Sequence, residues 1–137
     1  MQYKLIDHTA DFGIHVFGKD KEALFAHAAL AMFELIVEAG RPGDCRMRRV
    51  VAEGDDWPDL MVNWLRELLY LWSGEEKLVH SIDIKELSDT SVTAKVTYDV
   101  FLPKHHQIIN EIKAVTYHQI QVKPVGNGWE TRIIFDV

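Results

Sequence analysis

Residues 4–14, KLIDHTADFGI, join two apolar stretches through a short polar segment. The first stretch, Lys4-Leu5-Ile6, has strand-like composition, and the chain becomes apolar again at Phe12 and Ile14. Two carboxylates and one imidazole occur within five residues between them. The segment is therefore either a turn whose polar side chains bond to the backbone, or part of a site that binds something.

Two later segments have the apolar spacing of helices. Asp20 is a predicted N-cap, and the helix that follows is expected to end at Gly40. The second helix begins after Asp55 or Asp56, carries Pro58 in its first turn and ends at Gly74. Its wide apolar stripe is typical of a helix that covers a sheet rather than a ligand pocket.

The remaining segments predict strands. Residues 46–52 have the charged face of an edge strand, and after residue 80 apolar side chains alternate with polar ones on both sides of a turn at 88–90. Further strands are expected at 14–18, 112–122 and 129–137, with a polar loop at 103–107. The pattern predicts an α+β, two-layer fold, with two main helices packed on one largely antiparallel (mixed) β-sheet.

Composition limits the class of protein. A length of 137 residues predicts a single domain over 1–137, and 47% hydrophobic residues suffice for a core. A net charge of −6 argues against binding nucleic-acid phosphates over the whole surface. The single cysteine, Cys45, excludes an intramolecular disulfide and a zinc site built from cysteines. Without a signal-like start or an apolar run of about 18 residues, a soluble protein of the cytoplasm is expected.

Asp7, His8 and Asp11 are the first candidate binding residues. Carboxylate oxygens suit Ca²⁺, Mg²⁺ or Mn²⁺, but one turn supplies too few of them to complete a coordination sphere. Asp136 and the α-carboxylate of Val137 could supply the rest if the last strand lies beside this turn. The alternatives are that the N-terminal side chains only satisfy a turn, and that Asp136 only keeps a strand end soluble.

The histidines show no metal-ligand spacing, and no phosphate-binding glycine motif occurs. His105 and His106 are predicted to lie in a solvated loop. His118 either faces the candidate site or bonds to a neighbour. The short basic stretch at 46–49 is either a solubilising edge or an RNA contact. No Ser-His-Asp or Cys-His arrangement stands out in the sequence.

The chain resembles the archease family in five stretches that occur in order: DHTADFGI at 7–14, EALFAHAALAMFELI at 22–36, WLRELLYLW at 64–72, EIKAVTYHQIQV at 111–122 and RIIFDV at 132–137. The likeness runs nearly end to end. Phe12 departs from it, because members usually carry a small β-branched residue there, and residues 41–58 are not distinctive.

The resemblance implies a function. Archeases are protein cofactors of the RtcB-type RNA ligase, which seals tRNA halves after intron removal with GTP and Mn²⁺. They promote guanylylation of the ligase's active-site histidine and restore its turnover. The resemblance implies that the chain is an activator and not an enzyme, and that it has no catalytic residues. Its expected partner is the ligase, through which alone it would contact tRNA. No membrane partner is expected.

The resemblance also implies a site for a divalent cation, with Ca²⁺, Mn²⁺ and Mg²⁺ left open. Its ligands would be Asp11, Asp136 and the carboxylate of Val137, with Asp7 and His8 as possible secondary ligands. His118 is a further possible secondary ligand, because of its place in the strand pattern and not because of the resemblance. Two alternative functions stay open. One is a general chaperone or modulator of nucleic-acid-processing proteins, and the other is a metal-dependent phosphoester hydrolase that uses the same carboxylates.

Overall fold

The computed structural model describes residues 2–7, 11–38 and 43–137, with the backbone alone for residues 2, 5–7 and 11. Within these residues the chain forms seven strands and two helices. They are β1 (Gln2–Asp7), β2 (Asp11–Gly18), α1 (Lys21–Ile36), β3 (Arg46–Glu53), α2 (Trp57–Ser73), β4 (Lys77–Leu87), β5 (Ser91–Val100), β6 (Ala114–Val125) and β7 (Gly128–Asp136).

The strands form two sheets with the orders β1-β2-β7-β6 and β3-β5-β4, and their pairings are antiparallel. The predicted α+β class is confirmed. The single predicted sheet is in fact two, and each helix contacts both of them. Alternation along a strand shows which face is buried but not which strand lies beside it, so the sequence pattern did not separate the sheets.

The burial of α1 reflects its contacts with both sheets. Three consecutive residues, 31–33, are buried, and consecutive residues point in different directions around a helix. A helix that covered only one sheet would bury a single stripe. The apolar character of α1 on several faces is therefore the sequence signal for a helix in contact with two sheets. Neither α1 nor α2, the helices of the described chain, is long and apolar enough to cross a membrane.

The two strand-to-helix turns share one local design. A glycine lies at the end of the strand and an aspartate two residues later caps the helix: Gly18 and Asp20 before α1, Gly54 and Asp56 before α2. Each cap carboxylate accepts a backbone N–H three residues on, at 2.7 and 2.9 Å. A Cβ atom on either glycine would lie 2.5 or 2.4 Å from a backbone nitrogen of the helix. Glycine is therefore required for the close approach of each turn to its helix.

The predicted helix boundaries hold at three of four ends. Asp20 caps α1, Asp56 caps α2, and α2 ends before Gly74. The first helix stops at Ile36, before the predicted Gly40, which lies outside the described residues. It stops because residue 37 is extended and bridges to the segment between β5 and β6.

The last strand is held on both sides. β7 lies between β2 and β6, and its residues Ile133 and Phe135 are fully buried. At its end, the main-chain carbonyl of Asp136 accepts a hydrogen bond from the N–H of Lys113 at 2.8 Å. The backbone of the C-terminal strand is therefore fixed up to its last residue.

Candidate functional site

The register of β2 on β7 brings the two ends of the sequence together. Asp11 is the backbone partner of Asp136, and the next pair along is Phe12 with Phe135. On the other side of β7, Ala114 of β6 is also paired with Asp136. The side chain of Asp136 is exposed, next to the fully buried Phe135. The first residue of β2 and the last residue of β7 thus lie opposite each other at one end of this sheet.

The other proposed ligands lie at different distances from this pair. Asp7 ends β1, with its backbone opposite Phe12, and His8 lies outside the described residues. Val137 follows β7 directly, is half-buried and packs against the core. His118 is exposed on β6, in a stretch where the pairing with β7 is interrupted. It is four residues along the strand from Ala114, which corresponds to roughly 13 Å in regular strand geometry.

A second group of candidate ligands lies on the other sheet, where β3 begins and β5 ends. Cys45 Sγ is 3.5 Å from His80 Nε2, and the same nitrogen is 3.5 Å from Asp99 Oδ1. One ligand atom from each of these three residues lies within 4.8 Å of the others. A thiol, an imidazole and a carboxylate from three separate segments therefore meet at one point.

Asp99 is the buried member of this second group, only 5% exposed. Its Oδ2 accepts the backbone N–H of Gly43 at 3.0 Å and lies 3.8 Å from His106 Nε2. Within the part of the chain that the structure describes, its Oδ1 makes no hydrogen bond. Desolvation and the neighbouring carboxylates of Asp99 and Asp44 raise the pKa of the Cys45 thiol.

The sequence profile of the Archease protein family (MTH1598/TM1083) matches residues 3–137. The chain belongs to the archease family. Protein archease of Methanosarcina barkeri is 33% identical to it over 140 residues, covering 99% of this chain and 96% of that protein. Protein archease of Pyrococcus abyssi is 30% identical over 135 residues, covering 96% of this chain and 95% of that protein.

Two solved structures share the archease fold. The solution structure of protein 1598 from Methanobacterium thermoautotrophicum has a TM-score of 0.76 and 27% identity, and 98% of each chain is covered. The crystal structure of an archease from Thermotoga maritima, described as a possible chaperone, has a TM-score of 0.64 and 21% identity. It covers 100% of this chain and 98% of that chain, and at this identity it shows the fold alone.

The KAVTYH stretch of this archease packs β6 against α2. The hydroxyl of Tyr117 donates to Asp59 Oδ1 at 2.6 Å, and the guanidinium of Arg66 lies 4.7 Å from the centre of the Tyr117 ring. This hydrogen bond lowers the pKa of the Asp59 carboxyl and raises the pKa of the Tyr117 phenol. The other Asp59 oxygen accepts the N–H of Asp55 at 2.8 Å. Asp59 therefore has a local structural role.

An open, acidic cleft of about 370 Å³ lies at the opposite end of the second sheet from Cys45. It is lined by the end of β3, the start of α2 and the turn between β4 and β5 (Glu53, Gly54, Asp55, Asp59, Asn63, Thr90 and Ser91).

The basic stretch at the start of β3 lies on a sheet edge, as predicted. Arg48 there pairs with Glu75 at 3.0 Å, so part of its charge is neutralised within the chain.

The second group of ligands was missed by sequence analysis. Cys45, His80 and Asp99 are far apart in the chain, and no spacing rule connects them. His106 was assigned to a solvated loop, but its side chain is only 10% exposed because it packs beside Asp99 and the Phe101 ring. The alternation in β5 placed Asp99 on the outer face of the sheet. It gave no sign that the loop before β3 covers that position.

Proposed function

We propose that this archease is a protein cofactor that activates an RtcB-type RNA ligase in tRNA splicing. It would promote guanylylation and multiple turnover of the ligase through a divalent cation bound by Asp11, Asp136 and the α-carboxylate of Val137. Family membership supports the proposal, because the resemblance in five stretches implies this activity. The single structural observation that carries it is the backbone pairing of Asp11 with Asp136.

The pairing fits an oxygen-ligand cation for a physical reason. Directly opposite residues in an antiparallel pair have Cβ atoms about 4.5–5.5 Å apart, a separation at which two carboxylates can share one ion. Like charges this close repel each other unless a cation or a proton intervenes. Asp136 is exposed, so the site would keep coordination positions for water or for groups of the ligase. Calcium, manganese and magnesium all suit such ligands.

In the reaction, the chain itself would bind the cation and position its charge. The backbone of Asp136 is held by two neighbouring strands and by the Lys113 N–H, so the point from which its carboxylate extends would not move when the ligase docks. A cation at this position, next to the ligase's nucleotide pocket, would stabilise the charge that develops on phosphate oxygens during nucleotidyl transfer. The ligase would provide the nucleophile.

A guanylylation assay tests this proposal. The full chain is mixed with an RtcB-type ligase, GTP and Mn²⁺, and covalent ligase–GMP and multiple-turnover joining of RNA ends are followed. Stimulation by the wild-type chain and its loss in Asp11→Asn and Asp136→Asn are expected. Asp89→Asn is the matched control, because it removes the same charge from the exposed turn between β4 and β5. No stimulation, or equal stimulation by all variants, would contradict the proposal.

The same samples separate the alternatives. Hydrolysis of nucleotides or cyclic phosphates by the chain without ligase would indicate a phosphoester hydrolase. Suppressed aggregation of unrelated proteins, with Asp136→Asn as effective as the wild type, would indicate a general chaperone. The activator proposal predicts neither result.

A further inference from the structure

We propose that Cys45, His80 and Asp99 form a second metal site, which binds a zinc-like transition-metal ion and is separate from the Asp11–Asp136 pair. Their donor atoms are a thiol sulfur, an imidazole nitrogen and a carboxylate oxygen. Zinc binds all three of these donor types, whereas calcium and magnesium bind oxygen. The two sites would therefore take different ions.

The distances fit a tetrahedral ion. Zinc bonds of about 2.0–2.3 Å at tetrahedral angles place neighbouring ligand atoms about 3.3–3.6 Å apart. His80 Nε2 is 3.5 Å from Cys45 Sγ and 3.5 Å from Asp99 Oδ1. The third separation, between the ligand atoms of Cys45 and Asp99, is within 4.8 Å, so an ion could bind all three after the side chains close around it.

The unpartnered oxygen of Asp99 is an independent reason for the proposal. The carboxylate is more than nine-tenths buried, and among the described residues its Oδ1 makes no hydrogen bond, although His80 Nε2 lies 3.5 Å away. A buried acceptor left without a partner costs about 1–3 kcal/mol or more. Gly43 holds the other oxygen through its N–H, which leaves Oδ1 available for an ion.

A β-bulge directs His80 to this position. Along β4, Val79 is paired with Tyr98 and Ser81 with Thr97, so His80 is the extra residue of the strand. Bulges often re-aim a side chain at functional sites. Here the bulge follows two buried residues and leaves the imidazole beside the end of β5, where Asp99 is located.

His106 supports the site as an outer residue. Its Nδ1 lies 2.9 Å from the backbone nitrogen of Leu102 and 3.3 Å from the Leu102 carbonyl oxygen, which fixes the position of the ring. Nε2 lies 3.8 Å from Asp99 Oδ2, on the side of the carboxylate away from His80. Groups in this position around a ligating carboxylate tune metal affinity.

The proposed site has three protein ligands and one open position. Cys45 is exposed and the His80 side chain is 32% exposed, so water or a partner's side chain can reach the ion. The ligands come from the segment before β3, from β4 and from β5. Bound metal would therefore connect the three strands of the second sheet at one end.

Cobalt(II) titration of the full, reduced chain tests the proposal. Cys45 is the sole cysteine, so a thiolate-to-cobalt charge-transfer band would identify Cys45 as a ligand. We expect one equivalent of cobalt to produce the band and zinc to abolish it by displacement. Cys45→Ser and His80→Gln should lose the band. Their zinc affinity should fall by more than the roughly 10–100-fold that changes of outer residues cost.

His105→Ala is the matched control, because His105 is an exposed histidine next to His106 and outside the ligand group. It should keep the band and the zinc affinity, as should Asp136→Asn. No band in the wild type, or an unchanged band and zinc affinity in His80→Gln, would overturn the proposal. One ion per two chains would also overturn it, by indicating a site between copies. None of these results depends on ligase activation.

Discussion

His15 Nε2 lies 2.8 Å from Glu130 Oε2, across the same pairing of β2 with β7 that brings Asp11 opposite Asp136. Both side chains are largely buried, at 15% and 10% exposure. Lys123 Nζ lies 3.6 Å from the other Glu130 oxygen. This cluster connects the two central strands of the sheet, and it determines the first prediction.

Glu130→Gln should lower the free energy of unfolding by about 1–3 kcal/mol near pH 6. Burial opposes ionisation of Glu130, but the hydrogen bond and charge of His15, together with Lys123, hold the pKa of its carboxyl below the usual value. A lowered folded pKa stabilises the protein above the unfolded value of about 4.3, and this contribution is lost as the pH falls through the folded pKa. Urea unfolding should show the wild-type advantage shrinking below about pH 4.

Glu67→Gln is the control for that prediction, because Glu67 is exposed on α2. It should change the unfolding free energy by no more than about 0.5 kcal/mol. An advantage of the wild type over Glu130→Gln that persists at about pH 3 would show that the pair does not contribute through its charge.

Gly54→Ala should destabilise the protein by about 1–3 kcal/mol, because the added Cβ would lie 2.4 Å from the backbone nitrogen of Leu60. The strand-to-helix turn would have to open, and α2 would move with it. Gly43→Ala is the comparison, since a Cβ there meets no atom of residues 2–7, 11–38 or 43–137 within 4 Å. Thermal unfolding of the two variants measures the difference, and equal melting temperatures would contradict the close approach.

Asp136→Asn should weaken the binding of Ca²⁺ or Mn²⁺ by at least about tenfold, because ligand charge sets the affinity of oxygen-ligand sites. Asp11→Asn should have a similar effect if the two residues share the ion. Isothermal titration calorimetry of both variants and of Asp89→Asn measures the change. Equal affinities in all three would remove the Asp11–Asp136 pair from the proposed site.

A short peptide added after Val137 should also weaken the binding of the divalent cation, because the α-carboxylate would become an amide. The fold should be unaffected, since β7 is held by its pairing with β2 and β6 up to Asp136. Calorimetry measures the affinity and circular dichroism the fold. Undiminished affinity in the extended chain would exclude Val137 as a ligand.

Local features of the fold can be predicted from the sequence. The caps at Asp20 and Asp56 rest on contacts within one turn, and the edge strand β3 shows its exposure in its own residues. The division of the strands into two sheets depends on contacts between distant segments. The alternation of apolar and polar residues in β4 and β5 would be the same if these strands joined β7 in one sheet or formed a separate sheet.

The candidate sites differ in the same way. The polar residues of DHTAD and the terminal Asp136 attract attention because each interrupts an apolar strand pattern. Cys45 and His80 do not interrupt an apolar strand pattern. Cys45 lies in a loop, and His80 occupies a β-bulge that cannot be recognised from residue types in the sequence. In the alternating pattern of β5, Asp99 takes a position expected to face outward. It is buried because a separate segment covers it. Sites of that kind become visible in three dimensions alone.

Anomalous diffraction from crystals of the full chain soaked in Mn²⁺ tests the central proposal most directly. We expect a manganese peak within bonding distance of carboxylate oxygens from both Asp11 and Asp136, and no such peak in Asp136→Asn crystals. A wild-type structure in which the Asp11 side chain points away from Asp136, with manganese bound elsewhere or not at all, would contradict it.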